Sequence, residues 1–556
     1  MKRFVALCFF YSAVMFRLFP RSVSGMQLFP ASHWIYGAME SVASDVGAVL
    51  PWGSVPASAG ELRTWFYGID REGLSDPVMR IYDEIDSFLR PDHDGVPGEG
   101  AFRFSGNIIL NPEFYWKSNP EIPWSFRYFM SDNLATAPLL FGFSDCLMIE
   151  TDIFLGKNFA SMQAPGNFTN IPYRTDQLEF LFPRFAYASA GKIFGGWGFN
   201  LCVGKEGMQI GNTGRASILY DSTFETDAYV RMSVFSRFFR YSLGTVQIDR
   251  AKYLYLHQAD INPLPCLRLS LVEGSLVNAP FEIRFLNPLM VMHQFSAWTE
   301  YNTEEENRWY DEGHFCAYLG FTFDWSAARN LRIYGLYAQN ELQTIGERST
   351  EKGRSYPDSM GAQLGAEFSL PSGAGLWKFR IEGVYTSPWL YIKTSPDWSL
   401  YRARRDNMNS AANPVCTWIG RFGPDCAGFI AGAEYSECRL WSFSAEYMLI
   451  AHGSTDFGIF SGRNDDGIWT YYPTVRYNMA ESDDGRAAAV ALARDMGLSG
   501  TVEFRNSVVL RCSRRFGEHL ELNAETAASV IFNCGNVRDN LQCGIEIGAG
   551  IKYNVL

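Results

Sequence analysis

After its leading stretch the chain has no unbroken run of 18 apolar residues, no CxxC pair, and no HExxH, GxSxG or P-loop; charge occupies only 19% of its 556 positions. Each absence closes a class. Without a long apolar run no helix of the mature chain spans a bilayer, so membrane residence has to be as a β-barrel. Without CxxC pairs neither a zinc ribbon nor a thioredoxin-type site is suggested. The missing motifs, with seven scattered histidines, lead us to expect no enzyme, no catalytic residue, no metal and no cofactor. Asp92-His93-Asp94 reads as solvated charge in a linker rather than as metal ligands. A net charge of -12 argues against a nucleic-acid partner, because phosphate binding requires a basic footprint.

What is present is aromatic weight, 15% of the chain, with fifty glycines. A barrel strand needs an apolar residue only at every second position, so a lipid-embedded barrel looks almost polar on average. The last sixteen residues show the pattern. Ile545, Ile547, Ala549, Ile551, Tyr553 and Val555 fall on one face, Glu546, Lys552 and Asn554 on the other. That is how a strand between lipid and a wet lumen reads.

Residues 1–25 carry Lys2 and Arg3, an apolar run from Phe4 to Phe16, and small residues at Ser22-Val23-Ser24-Gly25, the layout of a cleaved secretory signal. Residues 26–90 keep helical spacing. Ile35, Ala38, Met39 and Val42 form one stripe; Ser58 to Glu61 is a capping box ahead of Leu62, Trp65, Phe66 and Ile69; Ser75 and Pro77 open a third helix with Val78, Ile81, Tyr82, Ile85 and Leu89. So small a bundle is expected to lean on the barrel, on its periplasmic side, with a polar exterior that weighs against a plug. Residues 91–100 are a Pro/Gly linker, and the period becomes two from residue 101 to 556.

Nineteen alternating segments follow, among them 139–155, 185–204, 215–220, 281–286 and 469–477, which predicts a mainly β chain: a large closed antiparallel transmembrane β-barrel of about 16–18 strands with a small N-terminal α-helical bundle. Tight polar turns at 326–330, 371–375, 436–437 and 513–518 suit the periplasm. Long connections at 156–176, 290–313, 392–426 and 480–500 suit extracellular loops. The outer membrane is then the location, with lipid around the wall and the barrel-assembly machinery as a partner.

Two loops carry candidate glycan ligands. Trp298, Tyr301, Trp309 and Tyr310 are interleaved with acidic residues, and aromatic faces offer platforms for sugar rings. Arg402, Arg404 and Arg405, beside Tyr401, suit an acidic polysaccharide, since guanidinium groups pair bidentately with carboxylates. The same residues also fit an interfacial girdle and a solvated loop. Cys534 and Cys543 flank a polar turn on apolar faces, which fits a cross-hairpin disulfide or two small apolar fillers; Cys416 and Cys426 stand in a similar relation. His257 and Glu273 lie in neighbouring strands, where a shared lumen face is one arrangement.

Gly211-Asn212-Thr213-Gly214, His257, the stretch Leu269 to Leu276 with Glu273, Leu286-Asn287-Pro288-Leu289, Ser387-Pro388-Trp389-Leu390-Tyr391 and Gly420-Arg421-Phe422-Gly423-Pro424-Asp425 resemble, in order, the marks of Wzi-type capsule assembly proteins. Ser32 to Tyr36 resembles that family's helical opening, whereas Met208 stands where a tryptophan is usual. The resemblance implies an outer-membrane barrel that acts as a lectin-like anchor for capsular polysaccharide at the cell surface. A diffusion porin or hydrophobic-substrate channel, and a surface adhesin, are the alternatives that the residues leave open.

Overall fold

The computed structural model describes residues 23–90, 102–124, 133–157, 168–179, 185–214, 216–221, 227–292, 315–404, 415–461 and 470–555. Among them the chain forms a closed barrel of eighteen antiparallel strands. The first is broken into Phe102–Gly106, Ile109–Leu110 and Glu113–Lys117, and the last, Gln542–Asn554, closes the sheet against it with Glu546 opposite Lys117 and Tyr553 opposite Leu110. Every other strand pairs with its sequence neighbour, so no edge is left to aggregate.

Alternation decides which face each side chain takes. On the last strand Ile545, Ile547, Ile551 and Tyr553 point out, each over 40% exposed, while Glu546 is buried inward. The same outward belt runs through Phe504, Val508, Phe379, Ile381, Phe321 and Leu201. A continuous apolar belt of this kind is stable only against lipid.

Three of the segments read as strands are not. Residues 216–220 enter the lumen as a loop, Ile283–Leu286 is a 3-10 turn, and Pro473–Met479 is a helix followed by a second, Asp483–Arg494. Two others each hold a hairpin, Ala135–Phe143 with Leu147–Lys157 and Ala186–Phe194 with Trp197–Lys205. The misreadings offset one another, so the count near eighteen survived.

Helices Trp34–Asp45, Ala59–Phe66 and Asp76–Leu89 pack around Ile35, Met39, Val42, Leu62, Phe66, Ile81 and Ile85. They sit across the barrel end that carries the tight turns: Asp45 pairs with Arg329 at 3.2 Å and Glu84 with Arg439 at 3.0 Å. Gly25, expected to end the leader, lies inside this packing. Its N–H donates to Asp145 at 2.6 Å and its carbonyl accepts from Gly60 at 2.8 Å. Residues 1–22 and the linker at 91–101 lie outside the described residues.

Ser58 caps its helix by accepting the Glu61 N–H at 3.2 Å, but the Glu61 carboxylate turns away to Arg240 of the barrel wall, also at 3.2 Å. Half of the capping box has been exchanged for a tie to the barrel. His33 caps the first helix, its Nδ1 accepting the Ile35 N–H at 3.3 Å, which requires the neutral ring. Burial, reinforced by Arg439 and Lys552, pushes its pKa from 6.5 down to about 4. The unfolded chain therefore takes the proton first, and the stabilisation, complete above the unfolded pKa, is lost as pH falls from 6.5 toward 4, by on the order of 1 kcal/mol per unit. Limited proteolysis of the bundle should accelerate across that window, and His33→Asn, which caps without titrating, should flatten the profile. An unaltered profile in the variant would assign the effect to another group.

Candidate functional site

The lumen is filled from both ends. From the helix end, the segment between the first two helices enters as an extended chain. Ser54–Val55 pairs with Gln209–Ile210, and arginines from three strands of the wall donate to this segment's carbonyls. Arg240 Nη1 donates to Ser54 O at 2.6 Å, Arg231 Nη2 to Pro56 O at 2.6 Å, and Arg268 Nη1 to Trp52 O. Gly53 lies so close that a Cβ would stand 2.5 Å from Ser270 Oγ and 2.6 Å from Asp260 Oδ1. Arg268 and Arg332 converge on Asp324, Arg332 Nε at 2.6 Å, and Arg332 also reaches Glu40 at 3.2 Å. The expectation that the bundle would not plug the barrel is thus corrected: its helices stay outside, but their connector is a plug bonded to inward-facing charge.

From the loop end, residues 206–214, 216–221, 387–401 and 415–425 fold inward around one apolar core. Ile218, Leu219, Leu390, Tyr391, Ile392, Leu400 and Ile419 are fully buried against inward wall residues Leu254, Val272, Leu276, Tyr318 and Tyr334. Each aliphatic side chain buried here contributes roughly 1.5–3 kcal/mol.

Three of the sequence motifs meet in this core. Gly211, at φ +100°, turns the chain where a Cβ would strike Leu336 at 2.4 Å, and Gly214 accepts Arg380 Nη1 on its carbonyl at 2.9 Å. Pro388 is buried, and Tyr391 donates its hydroxyl to Ile218 O while its N–H reaches Asn340 Oδ1 at 2.8 Å. Asp425, fully buried, accepts from Thr455 N and Ser499 N, both at 2.9 Å, and so fastens two loops together; Gly423 supports the turn at φ +69°. His257, Glu273, Asn287 and Pro288 are elsewhere. His257 and Glu273 are direct partners across two strands, but on the outer face of the wall and not in the lumen.

Arg402 lies inside the protein and not on the loop surface. It is fully buried, its Nε bonding Asp227 at 2.6 Å, Nη1 the Trp418 carbonyl at 3.0 Å and Nη2 the Asp221 carbonyl at 3.1 Å, with Tyr220 under the guanidinium. Arg404 pairs with Val415 in a short hairpin. Trp298, Tyr301, Trp309, Tyr310 and Arg405 lie outside the described residues. Cys534 and Cys543 are free thiols, as is Cys426. The register sets Cys543 opposite Val530, while left-handed Asn533 turns Cys534 out of the strand, so the two never face each other.

The arrangement that sequence reading missed is an aromatic nest on top of the loop core. Trp418 stacks on Phe457 at 4.6 Å, Tyr401 on Phe460 at 4.9 Å, and Trp418 lies 6.2 Å from Tyr391. Tyr401, Phe457, Phe460 and Trp398 are half-buried; Asp397 and Asp456 are exposed beside them, and Asp456 accepts the Trp418 indole N–H at 3.3 Å. The available signal was spacing: Trp398 with Tyr401, and Phe457 with Phe460, are aromatics three apart in stretches without strand alternation. A second polar feature lines the opposite wall, where Arg380, Glu446, Arg511 and Glu525 alternate in charge at 3.0, 3.8 and 3.1 Å. Gly432 stands between Arg380 and Glu446 in the register and leaves the gap they span.

Fold and site together define a plugged β-barrel of the outer-membrane type. No family model matches the chain, and no curated protein matches it by sequence. Among solved structures it is similar to Wzi of Escherichia coli, an outer membrane protein involved in group 1 capsule assembly and a carbohydrate-binding β-barrel, at 10% identity and TM-score 0.54, over 94% of this chain and 98% of that one. OprD of Pseudomonas aeruginosa aligns at 10% identity and TM-score 0.38, over 82% and 96% of the two chains. An anion-selective porin from Comamonas acidovorans aligns at 8% and 0.33, over 82% and 100%. The likeness to Wzi bears on the fold alone.

Proposed function

We propose that this chain is a non-enzymatic outer-membrane anchor that holds or helps assemble capsular-type polysaccharide at its loop end, with the helical bundle in the periplasm. The observation that carries the reading is the loop core: an apolar core packs against the inward wall and presents aromatic rings with carboxylates at their rim. Ring faces suit the apolar faces of sugars, and carboxylates accept their hydroxyls. The carbohydrate-binding activity of the similarly folded Wzi supports it. Phe460→Ala with Phe457→Ala should weaken capture of purified surface polysaccharide by about tenfold, the scale of one or two lost ring contacts, without altering the melting temperature by more than a few degrees. Undiminished capture by a folded double variant would remove the nest from the site.

One observation favours a porin instead. The Arg380–Glu446–Arg511–Glu525 ladder is partly exposed inside the wall, as charge along a solute path would be. Conductance separates the two readings.

A further inference from the structure

The outward face of a barrel wall should be apolar, since charge on the lipid side is destabilising. Three adjacent strands, Phe239–Asp249, Lys252–Leu264 and Leu267–Asn278, break the rule at one place. Tyr241, His257, Glu273 and Ser275 all lie on their outer face, fixed by the pairing of Leu243 with His257 and of His257 with Glu273. Two positions from Glu273 and four from His257 along the same strands the belt is ordinary: Leu271 is 53% exposed and Ile261 45%. His257 is only 7% exposed, because residues 281–292 fold back over it on the outside of the barrel.

The contacts are specific. Tyr255 stacks on Phe285 with centroids 4.3 Å apart and accepts the Glu282 N–H at 2.9 Å; Tyr241 donates to Pro288 O at 2.7 Å; Ser275 donates to Met292 O at 3.4 Å; His257 bonds the Phe285 backbone. Phe285, Met290 and Met292 are buried against Tyr255 and Val277. The other side of the segment carries Phe281, Ile283, Leu289 and Val291, with Leu289 89% exposed. The segment thus converts a polar patch of wall into an apolar one.

We infer that residues 281–292 are an in-membrane flap whose outer face is immersed in lipid acyl chains, held down by the Tyr241, His257 and Ser275 cluster. The occupant follows from continuity: the exposed side chains extend the belt of Leu271 and Ile261, which faces lipid. In water four such neighbours would form an aggregation-prone patch, whereas acyl chains remove their apolar surface from water.

The test places a photoactivatable diazirine residue at position 289 of the full chain in phosphatidylcholine vesicles, with Leu271 on the wall and Asp484 on the exposed loop helix as reference positions. Leu289 packs against little, so the substitution leaves the fold intact. Acyl-chain adducts at 289 should match those at 271 and exceed those at 484 by about tenfold, in line with the transfer preference of such a side chain. Hydrated product at 289 to the level seen at 484, or adducts joining two copies of the chain, would overturn the inference.

Discussion

Asp324→Asn should release the N-terminal plug, at a cost of about 3–5 kcal/mol, the range for breaking a buried ion pair by removing one partner. Asp324 is the one carboxylate on which Arg268 and Arg332 both converge, and all three are buried. Asparagine keeps the shape and loses the charge. Arg268 would then keep Trp52 O and, at 3.4 Å, Thr322 Oγ1, with its charge uncompensated. The expected readouts are faster proteolysis within residues 46–58 and current fluctuations in a planar bilayer that the parent lacks. Glu525→Gln, on the partly exposed ladder, is the contrast and should cost under about 1 kcal/mol. Equal behaviour of the two variants would mean that the Asp324 cluster is not what seats the plug.

Arg402→Ala should be of similar size, about 3–5 kcal/mol, because it strands Asp227 in the interior and withdraws donors from the Trp418 and Asp221 carbonyls. Arg402→Lys should not rescue it, since one ammonium cannot satisfy three acceptors set around a planar fork. Thermal melting and proteolysis of residues 387–425 measure the loss, and polysaccharide capture should fall with the fold. A variant with parental melting and weaker capture would instead return Arg402 to the role of a surface ligand.

These two residues also mark where the sequence stopped being legible. The wall was readable because lipid imposes a period of two on every strand; Ile545 to Tyr553 lie in the structure as their alternation requires. The helices were readable from their stripes and from the Ser58 cap; Ser75 stands at the start of its helix, but its hydroxyl donates to Asp45 at 3.1 Å instead of capping. The lumen was not. Loops that fold inward carry the same apolar residues as strands, so Ile218 to Tyr220 and Tyr471 to Val475 mimic wall segments. Arg402 looked solvated because its partner, Asp227, is 175 positions away, and nothing local announces a buried pair. The disulfide reading of Cys534 failed on one left-handed residue, Asn533, which breaks the parity on which counting by twos depends. The His257–Glu273 pairing was legible, but a lumen face was the arrangement considered for it, because polar residues are expected there and a covering segment leaves no trace in alternation.

The central claim is that the barrel is closed and acts through its loop end. Single-channel conductance of the refolded protein in a planar bilayer, with purified surface polysaccharide added on the loop side and a parallel capture assay, tests it most directly. Near-zero conductance together with captured polysaccharide is the predicted result. A steady ohmic current that the polysaccharide leaves unchanged would contradict the account and make the charged ladder the lining of a pore.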